Sequence, residues 1–166
     1  MLRKRAPGVV ALVVCLGSTT WTCGNVQETQ ALTTQDHIDI RHVYARYNEA
    51  IDDGDADGWV AVWTDDGDFN GFKGRDALMR FARHYLDHQD GASRRHWINN
   101  LAITATPEGA RATNYFMILD VSVTPPEVFS TGKNIDTFAR TADGWRFTSR
   151  TSFAADGTQL ELSLDD

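Results

Sequence analysis

The chain has 166 residues, 42% of them hydrophobic, with 16 basic against 23 acidic side chains and a formal charge of −7. The first 30 residues hold three basic side chains and one acidic one, so the remainder carries 13 against 22, a surface that repels nucleic acid and anionic membranes. Both cysteines, Cys15 and Cys23, also fall in that opening stretch, which excludes a disulfide framework, a zinc-cysteine site and a cysteine nucleophile from everything after it.

Arg3, Lys4 and Arg5 precede an apolar run from Val9 to Gly17, and Thr22 and Gly24 are small residues before Asn25. This is the pattern of a signal peptide over residues 1–24, too short to span a bilayer, which needs about 20 apolar residues. The expectation is a secreted or periplasmic protein. A membrane enters only if the leader is that of a lipoprotein, with the lipid on Cys23. Residues 25–33 read as a flexible linker.

Thr34 is a candidate helix N-cap, with Asp36 suited to the positive helix start. Ile40, Val43, Tyr44, Tyr47 and Ile51 follow helical spacing and predict one buried stripe, ending at Asp52-Asp53-Gly54-Asp55. A second, short helix is expected over 56–63, with Trp59, Val60 and Trp63 inward, before a turn at Asp65-Asp66-Gly67. Phe69 and Phe72 fit a short extended piece. Leu78, Phe81, Ala82 and Tyr85 then predict a third helix over 76–86.

From Arg95 onward the pattern turns extended. Segments 95–106, 110–123, 131–142 and 145–154 are divided by Pro107-Glu108-Gly109, Pro125-Pro126 and an Asp143-Gly144 hairpin turn. Helices followed by antiparallel strands imply an α+β fold, a sheet curling over N-terminal helices and enclosing a pocket. One domain over 34–155 is expected, with 156–166 as an acidic tail. No repeat and no Walker, dinucleotide-binding or zincin pattern appears, so neither a cofactor nor a metal is implied. His84 and His88 have metal-ligand spacing without the glutamate of a zincin, and with His37 and His42 they read as surface residues.

Taken together, Tyr44-x-x-Tyr47-x-x-Ala50-Ile51-Asp52-x-Gly54-Asp55 with Trp59, Phe69, Gly74-x-x-x-Leu78, His96-x-x-x-Asn100, Gly132-x-x-x-Asp136, Arg140, Gly144-Trp145-Arg146-Phe147 and Arg150 resemble the SnoaL-like branch of the NTF2-like superfamily. That resemblance implies a cone-shaped, strongly curved antiparallel sheet, also known as the cystatin-like α+β barrel. Its relatives include scytalone and bile-acid dehydratases, ketosteroid isomerases and polyketide cyclases. It carries over catalytic roles to Tyr47, Asp52 and His96. This chain lacks the second histidine of the scytalone pattern in 110–123, which argues against a double-histidine mechanism.

The resemblance implies a small apolar carbonyl substrate of polyketide, steroid or terpenoid type, with Trp63, Phe72, Asn100, Tyr115 and Asp120 as substrate-binding candidates. Strand alternation puts Asp120 with Asn114, Phe116 and Ile118, without saying whether that face is inward. If inward, desolvation would raise its pKa and make it a neutral donor or general acid. Asp136 with Arg140 or Arg150 reads as a structural ion pair. Against the dehydratase, isomerase or cyclase stands an exported binding protein holding an apolar ligand, and thirdly a ring-hydroxylating oxygenase subunit. Pairing of copies through the sheet, as a dimer or trimer, is compatible with each.

Overall fold

A computed structural model describes residues 30–89 and 93–164. The leader, Cys15, Cys23 and the cleavage point near Asn25 lie outside the described residues.

Helix α1 spans Thr34–Asp52. Its N-cap is Thr33, one residue earlier than expected, because Asp36 three positions on completes a capping box: Thr33 Oγ1 accepts from the Asp36 N–H at 3.1 Å, and Asp36 accepts from the Thr33 N–H at 2.9 Å. The same carboxylate is buried, accepts from Trp145 Nε1 at 3.1 Å and pairs with Arg140. The start of the helix is thereby tied to the far end of the sheet. Ile40, Val43, Tyr44, Tyr47 and Ile51 are all buried, as the helical period predicts.

The helix ends where Gly54 takes φ +81°, open to glycine without strain. Helix α2 covers Ala56–Ala61 under an Asp55 cap, whose side chain accepts from the Gly58 N–H at 2.8 Å. It stops short of Trp63, which instead opens strand β1, Trp63–Phe69. The expected turn at Asp65-Asp66-Gly67 lies inside that strand as an irregularity, where pairing breaks between Trp63 and Asp68. A β-carbon at Gly67 would meet the Trp63 side chain at 3.1 Å, so the strand bends around the indole. Asn70 and Gly71, both with positive φ, then form a tight turn into β2, Phe72–Lys73.

Helix α3 spans Arg75–Asp87, and four long strands follow: β3 Arg94–Thr106, β4 Gly109–Asp120, β5 Glu127–Thr141 and β6 Gly144–Ala154. The β5–β6 hairpin forms with Ala142 and Asp143 in its loop, and Gly144, at φ +99°, as the first residue of β6. The sheet order is β2-β1-β6-β5-β4-β3, antiparallel except where β1 runs parallel to β6. This is the α+β fold expected, one curved six-stranded sheet on N-terminal helices.

The core sits between the helices and the β1, β6, β5 part of the sheet. Trp59, wholly buried, contacts the rings of Tyr47, Trp63, Phe69 and Phe81. Removing so large a buried aromatic costs about 3–5 kcal/mol. Because this aromatic cluster fills one end of the curved sheet, the open volume is left at the other, beside β3 and β4.

Candidate active site

Asp52 is the last residue of α1, and His96 is the third residue of β3. The carboxylate meets the histidine at two points. Oδ2 accepts the His96 backbone N–H at 2.9 Å, and Oδ1 lies 2.6 Å from Nδ1. A carboxylate can only accept, so Nδ1 carries a proton, and in the neutral ring the lone pair is on Nε2. The Asp52 carbonyl accepts from Arg95 Nη1 at 3.2 Å, fastening the helix end to the same strand.

His96 forms part of the wall of a cavity of about 470 Å³ between the helices and the concave face of the sheet, with Tyr47, Tyr85, Ile98, Phe116 and Ile118. Tyr47 and Ile51 come from the α1 stripe, and Phe81, His84, Tyr85 and His88 from α3. The two histidines expected at the surface stack at the mouth, ring centroids 4.1 Å apart. Leu160 and Leu162 also line it, since the segment after β6 turns back and Leu160 donates its N–H to the Ser152 carbonyl at 2.9 Å. Residues placed by the sequence in an acidic tail thus form part of the wall.

Beneath the cavity lies a polar network of which sequence reasoning found only the Asp136–Arg150 pair. Asp136 is fully buried and accepts from Arg150 Nε at 2.7 Å, Asn114 Nδ2 at 3.0 Å and the Tyr44 hydroxyl. Asn114 Oδ1 accepts from Asn134, whose own oxygen accepts from the Ser152 hydroxyl at 2.8 Å. Burial opposes the charge on Arg150, but the Asp136 carboxylate, with Tyr47 and Tyr44 beside it, outweighs that and holds the guanidinium firmly protonated. That guanidinium sits 4.2 Å over the Tyr47 ring, a cation–π contact at the cavity floor. The only signal was the inward parity of polar residues on neighbouring strands. Asp136 with Arg150 is the ion pair expected, while Arg140 serves Asp36 instead.

The other expected substrate contacts lie elsewhere. Trp63 is core, packed on Tyr47, Trp59, Phe69 and Phe147, because the chain switches from helix to strand at that residue. Phe72 packs on Phe81 outside the cavity wall. Asn100, at φ +51°, occupies a bulge in β3, and Tyr115 is 53% exposed; both line an open concavity on the opposite face of the sheet. That concavity is larger, about 1110 Å³, but has no acid–base pair, so the interior cavity is where the chemistry can occur. Asp120 is at the strand end, 2.9 Å from Arg94 and bonded to the Ser122 hydroxyl and N–H. Hydrogen bonds from Ser122, with the Arg94 charge added, lower its pKa. It is a carboxylate and not the neutral acid that desolvation would have made.

Tyr47 is buried, and burial pushes its pKa up while the Arg150 charge opposes the rise. It therefore remains a hydroxyl donor at working pH. Among the described residues no three His, Cys, Asp or Glu side chains cluster as a metal site.

A curved sheet over helices, with a His–Asp pair at a cavity wall, defines the NTF2-like class of pocket proteins. Residues 33–151 match the SnoaL-like domain, and the chain belongs to that family. Its structure is similar to Aln2 from a Streptomyces species, at 23% identity, 76% of this chain, 96% of that one and a TM-score of 0.70. It is also similar to ActVI-ORFA from Streptomyces coelicolor, at 25% identity, covering 74% and 97%, with a TM-score of 0.67. An NTF2-like protein with a cystatin-like fold from Novosphingobium aromaticivorans is 26% identical over 75% of this chain and 84% of its own, TM-score 0.64. No curated protein matches the sequence.

Proposed function

We propose that the protein is a cofactor-independent dehydratase, isomerase or cyclase acting on an apolar carbonyl compound. The observation that carries this reading is the Asp52–His96 pair at the wall of a largely apolar cavity. Membership of a family that includes cofactor-free isomerases and cyclases supports it.

Nε2 of His96, the ring nitrogen not engaged by Asp52, removes a proton from the carbon α to the carbonyl. The C–H electron pair becomes a C=C bond, and the carbonyl π pair moves to oxygen, giving an enolate. Asp52 stabilises the imidazolium through Nδ1–H and holds the ring in one tautomer. A neighbouring hydroxyl donor, Tyr47 in the family pattern, meets the oxygen as it gains charge. In dehydration the enolate pair expels a β-hydroxyl, which leaves as water with the proton from Nε2. In isomerisation the same proton returns to another carbon.

The test is incubation with β-hydroxy ketones and β,γ-unsaturated ketones on fused or isoprenoid bodies, read by mass and by the absorbance of the conjugated enone. Turnover by the wild type and none by His96→Ala is expected. Binding of these ketones without turnover by either protein would refute the enzyme reading and leave an exported binding protein.

A further inference from the structure

The Tyr85 hydroxyl is buried and has no hydrogen-bond partner in the protein. Such orphan donors are rare, since a hydroxyl taken out of water loses its hydration without compensation. This one is held in the last turns of α3 by a stacked Phe81, ring centroids 6.1 Å apart, so the ring is fixed in place. Its residue lines the cavity, and its ring stands edge-on to His96 with centroids 6.0 Å apart.

Tyr47, the tyrosine of the family pattern, is placed differently. Its ring lies between the Arg150 guanidinium and the aromatic cluster of Trp59, Trp63 and Phe147. It serves as a floor for the cavity and a platform for the charge. Tyr85 stands beside the base, with a donor that nothing in the protein uses.

Resting on the reading of the cavity as a site of carbonyl chemistry, we infer that Tyr85 donates its hydroxyl to the carbonyl oxygen of the ligand, as the electrophilic partner of His96. The proton removed by Nε2 and the oxygen that gains charge are then served by neighbouring side chains from β3 and α3. Burial raises the Tyr85 pKa, and the Asp52 carboxylate adds to the rise while Arg94 opposes it, so the donor keeps its proton wherever His96 can act as a base. A charge developing on the ligand oxygen meets a donor already in place.

The experiment is a two-way substitution, one change in the protein and one in the ligand. Full-length wild type and Tyr85→Phe are titrated calorimetrically with 2-acetylnaphthalene and with 2-ethylnaphthalene, which share a fused apolar body and differ in the carbonyl. Tyr85→Phe should weaken the ketone about tenfold, the worth of one buried hydrogen bond, and change the hydrocarbon less than about twofold. Its thermal midpoint should not fall, because no protein partner is lost. A merely structural tyrosine would weaken both ligands alike or lower the midpoint, and either result overturns the inference. If both compounds bind and Tyr85→Phe costs the ketone nothing, the role of Tyr85 falls while that of His96 stands. If neither compound binds the wild type, both readings fall together.

Discussion

Asp52→Asn isolates orientation from charge. The carboxylate now faces two donors, the His96 backbone N–H at 2.9 Å and Nδ1–H at 2.6 Å. An amide has one oxygen, and the backbone N–H must claim it, since a main-chain donor cannot become an acceptor. The amide NH2 then points at Nδ1, which has to present a lone pair, and the ring proton moves to Nε2. The atom that should take the substrate proton is capped. Both contacts survive in altered form, so folding stability should shift by no more than about 1.5 kcal/mol. Turnover should not survive. General bases contribute about 10²–10⁴-fold, and a wrong tautomer forfeits most of that, so kcat/KM should drop about 10³-fold, close to 4 kcal/mol of barrier. Nitrogen NMR of the His96 ring should report Nδ1–H in the wild type and Nε2–H in the variant. Adding His96→Ala to Asp52→Asn should cost little beyond the worse single change. A variant that shows the Nε2–H tautomer yet turns over within threefold of wild type would refute the orienting role.

Arg150→Met leaves Asp136, fully buried, without its counterion, and should lower stability in urea by about 3–5 kcal/mol. Tyr44, Tyr47 and Tyr85, three of the four tyrosines, have pKa values raised above 10.0, chiefly by burial. The stability this represents is complete below that pH and lost as pH climbs beyond it, so phenolate absorbance of these rings should appear together with alkaline unfolding and not before. Protein recovered from its native host should begin near Asn25 or carry a lipid on Cys23, checked by mass spectrometry; intact chain in the cytosol would count against export. Trp97 and Tyr115, 61% and 53% exposed on the outer face of the sheet, are expected to pair two copies, so Tyr115→Asp should shift sedimentation toward the monomer.

Local periodicity made α1, α3 and the four long strands legible, because each buries one face and repeats at its own period. It failed at Trp63, where Trp-Thr-Asp-Asp-Gly has the composition of a turn but is carried into a strand by pairing with β6, a partner more than 80 residues away. It also missed Asn70-Gly71, which the sequence reading took into one extended piece with Phe69 and Phe72 and which is a hairpin turn. The types of Asp52 and His96 could be picked from the family pattern, yet their contact depends on where α1 ends over β3. The floor was harder still. Asn114 faces Asn134, Asn134 faces Ser152, and Asp136 faces Arg150 only once three strands are in register. No single segment contains that information, and the misplaced Asn100 and Asp120 reflect the same limit, since a bulge or a strand end changes what a parity argument predicts; Tyr115 is outward by plain alternation with the buried Asn114 and Phe116.

Helix α1 is held by an acid at each end, Asp36 to Trp145 on β6 and Asp52 to His96 on β3. Sixteen residues separate the two, about 24 Å at 1.5 Å per residue, so the helix acts as a gauge that sets the position of the histidine's partner from its other end. One inserted residue between them would turn the Asp52 carboxylate about 100° around the axis and carry it about 1.5 Å onward. A length change in the β3–β4 loop, which holds neither anchor of α1, shifts nothing of the kind. Lengthening the loop at Glu108 leaves the count from Asp36 to Asp52, and with it the seat of the carboxylate, unchanged.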